Sequence, residues 1–284
     1  MSDYDTGVHL DIPELEYHAL PGLSSTGVKR MLEAPAVYRW HSEHPQPFKK
    51  AFEVGHAVHG KVLGVGLDVA VVPAEMLAAN GAASTKEAKA FIKDARDAGK
   101  VVLKQEEWDR VDAMAEAVLA HQDASYLVAN GKPEVSLIWD DPSTAVRCRG
   151  RLDYWHEGPY VAVDLKTVQS ADPTRFSRTA ADLGYDVQAG HYQEGTAYAL
   201  GERHIPRFLH VLVAKEPPHL VSVVELDGDF LDVGQARAHQ AIELYAKCVA
   251  NDNWPGYAHG IHRIAPPRWY RPAEDTDLYE EYAS

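Results

Sequence analysis

The stretch RCRGRLDYWHEGPYVAVDLKT, from Arg147 to Thr167, restricts the architecture of this chain more than any other segment. Two strand-like runs flank a Glu157-Gly158-Pro159 turn, the pattern of a β-hairpin. Successive side chains of a strand point to opposite faces. Tyr160, Ala162, Asp164 and Lys166 therefore share one face, and Val161, Val163 and Leu165 share the other. Asp164 and Lys166 emerge side by side at a strand end. Asp153, at the end of the preceding strand, can face them across the hairpin. Arg147, Arg149 and Arg151 alternate toward one face beside Asp153.

The rest of the chain surrounds this hairpin with helices. Ser24-Ser25-Thr26 caps a helix that runs through Val28, Met31 and Leu32 and ends near Pro35. Further helices are predicted at 36–42, 51–64, 86–98 (after a Ser84-Thr85 cap) and 106–122. Strands follow at 134–140, 146–152 and 160–166, then helices at 173–181 and 186–200. Strands at 207–213 and 220–225 are separated by Pro217-Pro218, and a last helix covers 230–251. This order predicts an α/β fold with a mixed central sheet flanked by helices. One domain is expected over 1–284, with 1–16 and 268–284 as acidic, less ordered ends.

Hydrophobic residues at 45% and charged residues at 25% exclude a disordered or fibrous chain. There is no run of about eighteen apolar residues, so no membrane span is expected. The first twenty residues have neither Lys, Arg nor an apolar block, so a secretory signal is not expected and a cytoplasmic location is. Cys148 and Cys248 cannot supply a CxxC zinc site, a four-cysteine cluster or a disulfide framework.

Two carboxylates converging on one point repel each other unless a cation neutralises them. Hard oxygen ligands at this spacing suit Mg²⁺ or Mn²⁺. A lysine beside them can position water or stabilise negative charge on phosphate. Asp153, Asp164 and Lys166 thus fit metal-assisted phosphodiester hydrolysis. The same D-x(10)-D-x-K spacing also describes two exposed hairpin acids and a surface lysine. His59, in Gly55-His56-Ala57-Val58-His59, lies on the inward side of its helix. It is a candidate third metal ligand, or a buried histidine bonded to a backbone carbonyl. Tyr185, Gln188 and Tyr192 share a helix face. Gln188 and Tyr192 suit either a metal-bound water or phosphate oxygen, or polar packing in the core. Glu134 opens the first strand and either supports the site or forms a salt bridge.

The ordered set G-x-x-x-H, R-x-D, D-L-K-T and Q-x-x-x-Y resembles the PD-(D/E)XK nuclease superfamily, and most of all its exonuclease VIII (RecE-type) branch of phage recombination exonucleases. YHALPGLSSTGVKRMLEAPAVYRWHSE (Tyr17 to Glu43), GHAVHGKVLG and NDNWPGY (Asn251 to Tyr257) are similar to segments of that branch. The resemblance covers about Tyr17 to Pro267. It implies a restriction-endonuclease-like core with an N-terminal helical elaboration. It makes Asp153, Asp164 and His59 metal ligands, with the Leu165 carbonyl as a further ligand, Lys166 the catalytic lysine, and Gln188 and Tyr192 the later Q-x-x-x-Y residues. The motif here reads D-L-K where many relatives have E-x-K. The implied activity is a Mg²⁺-dependent (Mn²⁺-tolerant) exonuclease acting 5′→3′ on linear duplex DNA and leaving 3′ overhangs for a single-strand annealing partner, in a homo-oligomer. A PD-(D/E)XK endonuclease or repair nuclease, and a non-catalytic DNA-binding module on the same fold, are the competing readings.

The formal charge, 28 − 42 = −14, argues at first against a polyanionic partner. Ten acids, however, lie in the two end segments, five before residue 17 and five after residue 273. Basic residues group in three places: Lys29, Arg30, Arg39, Lys49 and Lys50 with Trp40 and Phe48 interleaved; Lys86, Lys89, Lys93, Arg96 and Lys100; and Arg147, Arg149 and Arg151. Each group is either a solvated face or part of a DNA groove around the acidic site.

Overall fold

A computed structural model describes residues 4–44, 50–66 and 68–266. The chain opens with strand β1 (Gly7–His9) and helices α1 (Glu14–Ala19), α2 (Ser25–Glu33), α3 (Pro35–Glu43) and α4 (Lys50–Leu63). Strand β2 (Val69–Val71) precedes α5 (Lys86–Asp97), β3 (Val101–Leu103), α6 (Gln105–Ala120) and α7 (Gln122–Leu127). Then come β4 (Lys132–Asp140), β5 (Arg147–His156), β6 (Val161–Val168), α8 (Pro173–Leu183), α9 (Tyr185–Leu200), β7 (Arg207–Ala214), β8 (Val221–Glu225) and α10 (Gly228–Asn251).

The predicted caps form. Ser24 Oγ accepts from Gly27 N–H at 3.2 Å and Thr85 Oγ1 from Ala88 N–H at 3.0 Å. Five elements were not legible in the sequence: β1, α1, β2, β3 and α7. Each spans only three to six residues, too short to display a period.

The main sheet has the order β1-β4-β5-β6-β7-β8. Its pairs are antiparallel except β6 and β7, which run parallel. β2 and β3 form a separate parallel pair. The expected mixed sheet flanked by helices is therefore present. It is covered on both faces, and the alternation in β6 assigns the covers. Val161, Val163 and Leu165 pack with Val58 of α4 and Met114 and Val118 of α6. Ala162 faces the other cluster, with Val28 and Met31 of α2, Val187 of α9 and Ile242 of α10. Asp164 shares the parity of Ala162 but is held at 3% exposure, so this charge lies within the sheet and not on a wet rim.

Residues 4–23 are no loose end. β1 pairs with the edge of β4, and Leu23 bridges to Cys148 of β5. The reason lies in the three alternating arginines, whose donors hold this segment down, as described below.

Candidate active site

The site forms where β5 and β6 part. Their ladder runs His156↔Val161, Trp155↔Ala162 and Tyr154↔Val163, and the next residues on the two strands are Asp153 and Asp164. Strand β5 also changes sides here. Leu152 packs in one core cluster and Tyr154, two residues on, in the other, where a regular strand would keep them together. On the neighbouring strand Glu134 takes φ +52°, a conformation rare outside glycine. The irregularity turns Asp153 toward Asp164.

Asp164 Oδ1 accepts hydrogen bonds from Lys166 Nζ and from Gln188 Nε2 of α9, both at 2.8 Å. Its Oδ2 lies 2.7 Å from the same Lys166 Nζ, so the ammonium sits across both carboxylate oxygens. Burial works to raise the Asp164 carboxyl; Lys166, together with His210 and His59, outweighs it and holds the group below the usual range. Burial likewise works to lower Lys166, and Asp164 and Asp153 overcome that and hold it high. Lys166 is thus a fixed cation, with its ammonium 5.1 Å from the centre of the Tyr185 ring.

Asp153 Oδ2 accepts the Leu165 N–H at 2.7 Å. Burial raises its carboxyl, His59 pulls it back, and repulsion from Asp164 adds to the rise. His59 arrives from α4. Its Nε2 donates to the Leu165 carbonyl at 2.6 Å and its Nδ1 lies 3.6 Å from Asp153 Oδ2. Both alternatives for His59 thus meet in one place, since it bonds a backbone carbonyl and also stands beside a carboxylate. Tyr192 accepts from Ser25 Oγ at 3.3 Å. Its ring lies over Gly150, where an added Cβ would come within 3.0 Å of it. Glu134 borders the same space, 3.5 Å from Arg151 Nη1. Burial, then the charge of Asp153, push its carboxyl up to about 7.

His59, Glu134, Asp153, Leu165, Lys166, Tyr185 and Tyr192 line a cavity of about 590 Å³, while the buried Asp164 and Gln188 do not reach its surface. Besides the expected residues it is walled by Glu14, Ser25, Arg30 and His56. Glu14 and His56 face each other at 3.3 Å, joining α1 to α4 across the cavity. No local signal points to Glu14, because α1 is too short to read and its partner lies forty residues away.

The basic groups are placed differently from expectation. Arg147 donates to Asp140 and to the Tyr4 carbonyl. Arg149 donates to the carbonyls of Gly22, Tyr17 and His18. Arg151 donates to Ser136 and to the Ile12 carbonyl, and lies 4.2 Å from the Tyr17 ring centre. Arg149 and Arg151 border the cavity, but Arg149 donates to the N-terminal segment, and Arg151 divides its donors between Ser136 and Glu134 of β4 and the Ile12 carbonyl. Sequence periodicity gave the face correctly and could not show that the chain's own first residues cover it. On α5, Lys93 and Arg96 pair with Asp97 and Glu53, and Lys100 following it with Asp68. Lys29 donates to the Leu183 carbonyl. Phe48, Lys49 and the side chain of Lys50 lie outside the described residues. Among the described residues, Arg30 is the member of the first group that reaches the cavity.

Among the described residues no three His, Cys, Asp or Glu side chains converge closely enough to cage a metal alone. The donors that fit a hard cation are the two carboxylates with the Leu165 carbonyl, leaving remaining positions to water. The mutual repulsion of the two acids favours such an ion. With its Nε2 proton given to the Leu165 carbonyl, His59 has its Nδ1 lone pair on the side of Asp153, where it could join such an ion.

A mixed sheet with helices on both faces, carrying Asp153, Asp164 and Lys166 at the parting of two strands, defines a nuclease of the PD-(D/E)XK type. The chain belongs to the family described as "PDDEXK-like domain of unknown function (DUF3799)", whose model matches residues 24–265. Nucleases of this kind generally use divalent metal ions. Among solved structures, an exonuclease-designated protein from Eubacterium rectale superposes with a TM-score of 0.57 at 14% identity, covering 81% of this chain and 82% of that one. A phage related exonuclease from Haemophilus somnus 129PT gives 0.36 at 9% identity, covering 84% and 99%. Comparison with curated proteins matches none.

Proposed function

We propose that this protein is a metal-dependent DNA exonuclease that digests linear duplex 5′→3′ and leaves 3′ overhangs. The observation that carries the reading is the meeting of two buried carboxylates, Asp153 and Asp164, at one lysine, Lys166, with Gln188 bonded to Asp164. One ammonium balances one of two converging carboxylates, and a cation would balance the other. A divalent cation held by Asp153, Asp164 and the Leu165 carbonyl would supply Lewis-acid polarisation of the phosphate and a more acidic water.

The chain's own groups do the positioning. Leu165 N–H fixes Asp153, and Gln188 fixes Asp164. Lys166, kept protonated, places its ammonium where charge grows on the phosphate oxygens. Tyr192 and Ser25 close the wall opposite. Mg²⁺ is the expected ion and Mn²⁺ a substitute. The reading extends to a homo-oligomer that hands the exposed strand to a single-strand annealing protein. Among the described residues no helix is long and apolar enough to cross a membrane.

The test is Mg²⁺-dependent digestion of end-labelled linear duplex, with the 5′ or 3′ end blocked in turn and closed circular DNA alongside. Blocking the 5′ end is expected to stop digestion, and circles are expected to survive. Cleavage of circles would move the assignment to an endonuclease. Lys166→Ala and Asp164→Ala are expected to abolish digestion with folding retained; full activity of either purified variant would sink the assignment. Absence of heat on titrating Mg²⁺ into the protein would favour a non-catalytic module.

A further inference from the structure

The catalytic cavity does not end at His59. Gly60, Val65 and Gly66 line it and also line a second hollow of about 330 Å³, so the two run together along the end of α4. This extension offers bare backbone. Gly64 (φ +72°) and Gly66 (φ +129°) adopt conformations that other L residues rarely take, and a Cβ on Gly64 would meet open space. At the far side stands the half-buried Trp108 of α6. Lys61 Nζ lies 4.7 Å from its ring centre and pairs with Asp112. Asp68, an acid on the rim, faces Lys100 at 3.9 Å. None of these groups takes part in the chemistry at Asp153, Asp164 and Lys166.

We propose that this extension is a base-stacking subsite for single-stranded DNA, with a base on Trp108 and a neighbouring phosphate on Lys61. The inference rests on the nuclease reading and deepens it. A strand whose scissile phosphate lies at Lys166 has to continue somewhere, and the open continuation of the cavity leads past the glycines to Trp108. Bare glycine backbone lets a sugar–phosphate chain pass closely. Every base presents a π face, so an aromatic platform accepts any sequence, as a digesting enzyme requires. Lys61 would exchange its Asp112 carboxylate for phosphate without crossing the hollow.

The experiment measures binding of labelled oligothymidylates, from dinucleotide to dodecanucleotide, to the full chain by fluorescence anisotropy with EDTA present to prevent cleavage. Wild-type affinity is expected to rise with length. Trp108→Leu is expected to lose about tenfold of that gain, the scale of one stacked base, and Trp108→Phe to keep most of it. A strand carrying 5-iodouracil should crosslink to Trp108 of the unaltered protein, which keeps the test decisive if the leucine variant folds poorly. An equal length-dependent gain in the leucine variant, or crosslinks confined to other residues, would overturn the subsite and leave the nuclease reading standing. A wild type that neither binds nor cuts DNA would overturn both.

Discussion

Asp164 shows how much of this site depends on single atoms. Its Oδ1 is held by Gln188 and Lys166, and its Oδ2 lies against the same ammonium at 2.7 Å. Gln188→Leu removes a positioning bond without touching a proposed metal ligand. A loss of about 10–100-fold in digestion rate is expected, with the melting temperature nearly unchanged; an unaltered rate would remove Gln188 from the site. A second residue, His210 of β7, tests the buried electrostatics. It is fully buried among Phe176, Tyr185 and Phe208, and neither ring nitrogen finds a hydrogen-bond partner among the described residues. Burial pushes its pKa down to about 4. The folded value lies below the unfolded one, near 6.5, so protons favour the unfolded chain. Stability from this group is complete above about pH 6.5 and is lost as pH falls toward 4, by at most about 3 kcal/mol. Glu134, raised by burial, works in the opposite direction, so the readout is a difference between proteins. His210→Leu is expected to lose less stability than wild type between those pH values in urea denaturation; parallel curves would show that the ring is not held neutral.

At the scale of elements, the N-terminal segment is the part that sequence reading misplaced. β1 and α1 are too short to carry a period, and the acids among them suggested a solvated tail. In the fold, the Arg149 and Arg151 side chains cross from β5 and donate to carbonyls of residues 12–22. A backbone carbonyl carries no signature in a sequence, so three like charges in line on a strand looked like a place for phosphate. Each such charged hydrogen bond contributes about 1.5–3 kcal/mol when its partner is enclosed. Arg149→Ala is expected to cost roughly 2 kcal/mol and to make residues 4–23 the first region to exchange its amide hydrogens. Uniform exchange with no loss in the denaturation midpoint would return Arg149 to the candidate DNA contacts. In the β5–β6 hairpin the turn and the alternation in β6 were read correctly, because the two faces of β6 meet different core clusters, whereas the change of sides in β5 at Asp153 carries no local signal.

For the whole molecule, a net charge of −14 sits beside a cavity that holds Lys166 and Arg30. Much of the remaining basic charge near the site is paired within the chain, so attraction for a polyanion has to be local, and a bound metal would add to it. Binding of duplex ends is expected to fall steeply with salt in the presence of a divalent ion; a flat response would count against a phosphate-lined channel. The long strands and helices of the covered mixed sheet could be read from the sequence, because strand and helix periods assign faces locally; Asp153, Asp164, Lys166, His59, Gln188 and Tyr192 were candidates through the resemblance of their motifs, and the fold brings them to one place. The tertiary structure alone decided what each charge meets. It bonded Arg147, Arg149 and Arg151 to carbonyls of the N-terminal segment and to groups of β4, placed Glu14 opposite His56, and opened the cavity toward Trp108. These pairings join residues tens to more than a hundred positions apart, and no local period encodes a contact of that range.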